Sequence, residues 1–153
     1  EEMVKALYVS AGIGGIIAQR ASVSGAAGGC QAEIGAASAM AAGGVAYLLG
    51  GDGDTIAHAA ALAMKNLLGL ACDPVAGLVE VPCVKRNVIG AVNALTSADL
   101  SNAGIRSKIP PDEVFDAMRS VGRMLPEDLK ETGKGGLAAT PTGIAFRDNL
   151  KTF

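Results

Sequence analysis

Apolar side chains between Glu2 and Arg20 recur at Val4, Leu7, Tyr8 and Ala11, then at Ile13, Ile16 and Ile17, close to a helical period. Gly12, Gly14 and Gly15 lower the helix propensity of this segment and point to a tightly packed face. After a Ser/Gly loop from Ala21 to Gly29, a second helix is predicted from about Gln31 to Leu49, ended by Gly50-Gly51. A third starts with Asp52 or Asp54 as its cap and runs to about Leu68. Gly69 to Pro82 reads as a loop, because Asp73-Pro74 interrupts helical geometry, with Leu78, Val79 and Val81 as a short extended stretch. A fourth helix is predicted from near Pro82 to Ala98 or beyond, and a fifth from Pro110-Pro111-Asp112 to Val121 or Met124. Pro126 to Thr132 adds a further turn, and GKGGLAATPTG reads as loop. The pattern therefore predicts an all-α fold, a bundle of five or six helices in one domain spanning 1–153, with a glycine-rich loop.

Composition sharpens this picture. The chain has 28 alanines, 21 glycines and only five aromatic side chains, so helices must pack with their backbones close together. The net charge of −2 gives no basic face for nucleic acid or an anionic membrane. Ile34 to Gly51 is an uncharged 18-residue stretch with small residues at four-residue spacing. Alanine and glycine gain little on transfer to lipid, and Lys/Arg flanks and an aromatic belt are missing, so a buried central helix is the better reading. No secretory leader is read, and the expected location is cytoplasmic.

The candidate chemistry lies in three cysteines, Cys30, Cys72 and Cys83, set in GAAGGCQAEIG, GLACDPVAG and VEVPCVKRN. Their odd number argues against a disulfide framework. Small neighbours give the close backbone approach that an iron–sulfur cluster needs, and three thiolates on a cubane leave one iron with an open position. The gaps of 41 and 10 residues match no compact zinc or ferredoxin pattern. Spacing alone therefore leaves two readings open: buried structural thiols, or a metal or cluster site.

The strings SVSGAAGGCQAEIGAASAMAAGG, NLLGLACDPVAGLVEVPCVKRN and ETGKGGLAATPTGIA resemble the iron–sulfur-dependent L-serine dehydratases of bacteria, in the type built from separate α and β chains. The resemblance covers nearly the whole chain and corresponds to the second half of the α chain. It implies conversion of L-serine to pyruvate and ammonia with a [4Fe–4S] cluster and without pyridoxal phosphate. Cys30, Cys72 and Cys83 are then its ligands, and the open iron acts as a Lewis acid on the β-hydroxyl. It also implies partners: the preceding half of the α chain, a separate β chain, and assembly as a homo-oligomer.

For the substrate, Ser22, Ser24 and Gly25 form a loop suited to a carboxylate, read against an ordinary capping loop. Lys134, between glycines, is a candidate cation for the same carboxylate, read against a solvated lysine; Glu131 and Thr132 share that ambiguity. Asn66, Arg86 and Asn87 flank the cysteine loop as hydrogen-bonding candidates, with capping or packing as the alternative. Asp73 reads as a turn cap with Pro74, and His58, the sole histidine, as a packing residue, so the general base is not assigned to this chain. Two other functions compete: a related cysteine desulfidase, and a non-catalytic helical oligomerisation module.

Overall fold

The structure, a computed structural model, is described for residues 1–150. α1 spans Glu2–Arg20, a one-turn α2 spans Gly25–Gly28, and α3 spans Ala36–Leu48. They are followed by α4 at Gly53–Asn66, α5 at Cys83–Asn102, α6 at Pro111–Met124 and α7 at Pro141–Leu150. No named strand occurs among the described residues; the one isolated bridge pairs Cys72 with Lys130. None of the described helices is long and apolar enough to cross a membrane.

The uncharged segment becomes the central helix. α3 packs against α1, α4 and α5, while α4 also packs on α5 and α6. Its core face is small: Ala36, Ala39, Ala42 and Ala46 are buried against Ala59, Ala60 and Ala63 of α4 and Ala94 and Ala98 of α5. Larger side chains, among them Ile17, Met64, Phe115 and Met118, belong to the same buried core. A Cβ on Gly44 would lie 2.5 Å from Ser10 Oγ and 3.2 Å from the Ala6 carbonyl, so glycine is what lets α1 lie on α3. Asp52 is the cap of α4, accepting the Thr55 N–H at 2.8 Å.

Four local features differ from the pattern. The start of the second helix is a wide π-helical turn, Gln31–Gly35, ahead of α3. Gln31 sets it: its N–H donates to the Leu70 carbonyl, its side-chain amide donates to the Met118 carbonyl, and its Oε1 accepts the Gly69 N–H. Of the expected extended stretch Leu78 is extended, but 79–82 forms a turn, with the Val75 N–H bonding the Val81 carbonyl and the Val84 N–H bonding the Val79 carbonyl. The Ser/Gly loop contains α2. The glycine-rich tail read as loop gives way at Pro141 to α7, whose first-turn proline satisfies helical φ without needing its missing N–H.

Candidate metal centre

Three separate segments bring the cysteines to one place. Cys30 follows Gly29, which turns the chain at φ +75°, and precedes the wide turn at Gln31. Such turns recur at functional sites in helices. Cys72 lies between α4 and α5, held on both sides by backbone: its N–H donates to the Leu129 carbonyl at 2.8 Å and its carbonyl accepts the Glu131 N–H at 2.9 Å. Cys83 is the first residue of α5. Cys30 and Cys72 are buried, Cys83 is partly exposed, and all three are free thiols.

The sulfurs of Cys30 and Cys72 and a carboxylate oxygen of Glu33 lie within 4.8 Å of one another. Each thiol stands 3.8 Å from Glu33 Oε2. Cys72, Cys83 and Glu33 face a cleft of about 850 Å³, whose wall also carries Asn87, Lys130, Glu131 and Thr132. Burial pushes the Cys30 thiol up, against the opposing hydrogen bond with Cys72, and the Glu33 carboxylate adds to the shift. Cys72 is pushed up furthest, by burial first and then by Cys30, Glu33 and Glu131. Burial also raises Cys83, against the opposing pull of Arg86. In the metal-free chain these groups are thiols, and metal uptake has to release their protons. Cys72 and Cys83 on the cleft wall, with Cys30 buried beside Cys72, offer a soft sulfur set, suited to iron–sulfur, zinc or cuprous centres rather than to magnesium or calcium. The residues therefore fit a thiolate-held cluster.

The other candidates divide. Gly25 is buried against the site: a Cβ there would lie 2.6 Å from Glu33 Oε2. Its neighbour Ala26 lines the cleft. Ser22 accepts the Ser24 N–H at 3.0 Å and so shapes that loop, while Ser24 is exposed and its carbonyl accepts from Ala27 and Gly28. Asn66 is exposed at the end of α4 and donates to Asn93, which in turn donates to Ser38 Oγ. Lys134 is exposed and does not line the cleft; the segment before it does, through Lys130, Glu131 and Thr132. Asn87 lines the cleft with its amide turned back to the Cys83 carbonyl. His58 accepts the Ser107 N–H at 3.1 Å and stands 3.5 Å from Asp54, a packing role away from the cysteines.

Glu33 and Lys130 escaped the sequence reading. Glu33 had one usable signal: it is the only charged residue between Arg20 and Asp52 and stands three positions after Cys30. Lys130 had none, because its segment meets Cys72 through backbone pairing across 57 intervening residues.

Residues 1–138 match the family described as serine dehydratase alpha chain. The chain is 58% identical over 147 residues to a probable L-serine dehydratase alpha chain of Latilactobacillus sakei, covering 96% of this chain and 70% of that protein. It is 57% identical over 143 residues to the corresponding probable alpha chain of Bacillus subtilis, covering 94% of this chain and 48% of that one. With the L-serine dehydratase alpha chain of Peptoniphilus asaccharolyticus it shares 52% identity over 143 residues, covering 93% of this chain and 49% of that one. The chain thus spans about half the length of two of these relatives. A family match over most of its residues, together with identities above half, places the chain in the serine dehydratase alpha chain family.

Proposed function

We propose that this chain is the cluster-holding part of an L-serine ammonia-lyase that converts L-serine to pyruvate and ammonia. The observation that carries the reading is the meeting of Cys30, Cys72 and Glu33 beside a cleft that Cys83 also lines. Cys30, Cys72 and Cys83 would hold a [4Fe–4S] cluster. When bound, it supplies Lewis-acid activation of the departing β-hydroxyl.

The chain's own residues shape the place where that chemistry occurs. Burial of Cys30 and Cys72 keeps water from two of the three ligands. Gly25, buried against Glu33, and Ala26, on the cleft wall, support the reading that the segment beginning at Ser22 faces the substrate. Asn87, Lys130 and Thr132 give the wall polar groups of a size to meet an amino acid. His58 is engaged by Ser107 and Asp54, so removal of the α-proton falls to a base from outside these residues.

Completion by further polypeptide is part of the same proposal: the remaining half of an α chain, a β chain, and self-assembly. The alpha-chain names of the relatives support it, as do the exposed Val84, Val88, Val92 and Leu95 along α5. Three free cysteines also suit a reducing, cytoplasmic setting.

The test is anaerobic pyruvate formation from L-serine by the iron-reconstituted chain, alone and with its completing polypeptides. The expected result is little or no turnover alone and turnover in the full assembly, faster with L-serine than with L-cysteine. Preference for L-cysteine would replace this reading with desulfidation.

A further inference from the structure

Arg86 lies three residues past Cys83, in the first turn of α5. Its Nη1 donates to the Ala71 carbonyl at 2.9 Å and to Asp73 Oδ1 at 2.6 Å, the residues on either side of Cys72. The pair is sheltered, with side-chain exposures of 19% for Arg86 and 6% for Asp73. The other Asp73 oxygen accepts the Leu137 N–H at 2.8 Å, so the carboxylate ties three segments together. Gly136, at φ +58°, makes room for it; a Cβ there would collide with the Asp73 carboxylate. The arrangement replaces the turn-cap role expected of Asp73.

We infer that Arg86 is the positioning residue of the site: it fixes the Cys72 segment against the α5 turn that bears Cys83. Asp73 holds the guanidinium in that place. The metal part of this inference rests on the reading of the three cysteines as one centre; the mechanical part does not. A lysine keeps the charge but loses the planar, pre-organised donor group, so Arg86→Lys should restore the function only in part.

Two readouts on the intact chain separate these parts. The first is alkylation of the metal-free protein by iodoacetamide, followed residue by residue by mass spectrometry. Arg86→Met should raise the rate at Cys72 by about tenfold, as expected for local opening of one segment, with Arg86→Lys between the two. Helix content by circular dichroism and the rate at Cys30 should hold. The second is iron retention under a chelator after anaerobic reconstitution, which should be shortest in Arg86→Met. Should Arg86→Met lose its helix content, Asp73→Asn, which keeps side-chain shape, takes its place in both measurements. Unchanged protection of Cys72 in these variants would overturn the inference. A wild-type chain that takes up no iron would overturn the metal centre instead, and alkylation would still decide the part played by Arg86.

Discussion

Glu33 stands where two thiols converge, and Gly25 is what lets it stand there. The carboxylate occupies the space a side chain at position 25 would fill. Gly25→Ala should therefore push Glu33 away from Cys30 and Cys72 and reduce iron uptake, while circular dichroism stays unchanged. Uptake equal to wild type would show that the Glu33 position does not matter. The cysteines could be read directly from the sequence because thiols among small residues are chemically distinctive. Glu33 could not, because a lone carboxylate at the start of an apolar helix reads equally well as a helix end. Its meaning appears only when the wide turn at Gln31–Gly35 aims it back at Cys30. In sequence, Asn66 stands just before the cysteine loop and Lys134 is a cation between glycines. The fold turns Asn66 toward Asn93 and leaves Lys134 exposed, while Lys130 and its neighbours take the cleft wall.

The helices were legible wherever period and caps agreed. α1, α4, α5 and α6 follow apolar spacing bounded by Asp52, Pro82 or Pro111. The less legible elements, α2, the wide turn and α7, are short or set by partners distant in sequence, such as Gln31 with Met118. The α4 cap gives a pH-dependent prediction. The Thr55 N–H and then its hydroxyl hold the Asp52 carboxyl below the usual carboxylate range. A group depressed in the folded state stabilises fully above its unfolded pKa of about 3.9, and that stability is lost as pH falls through the folded value. Asp52→Ala should thus melt below wild type at neutral pH, with the gap closing in acid; a gap constant from neutral to strongly acidic pH would contradict the cap. Packing gives another. Gly44→Val would force α1 off α3 against Ser10 and the Ala6 carbonyl, at a cost of ~1–3 kcal/mol, read from denaturant midpoints.

At the scale of the molecule, an alanine core lets α3 sit among α1, α4 and α5 with little bulk between the backbones. That packing was foreseeable from composition, since 49 of the 153 residues are alanine or glycine (28 + 21). The path that carries Cys72 to Lys130 was not, because one backbone bridge leaves no alternating pattern. The same core leaves Val84, Val88, Ile89, Val92 and Leu95 exposed on α5, next to the cleft that Val84 lines. The central claim is that Cys30, Cys72 and Cys83 serve one centre, and the most direct measurement is iron and acid-labile sulfide bound per chain after anaerobic reconstitution. Wild type should bind about four of each, the content of one cubane cluster. Cys30→Ser, Cys72→Ser and Cys83→Ser should each lose most of it while remaining helical. Iron binding that survives all three substitutions, or a wild-type chain that binds none, would contradict the account.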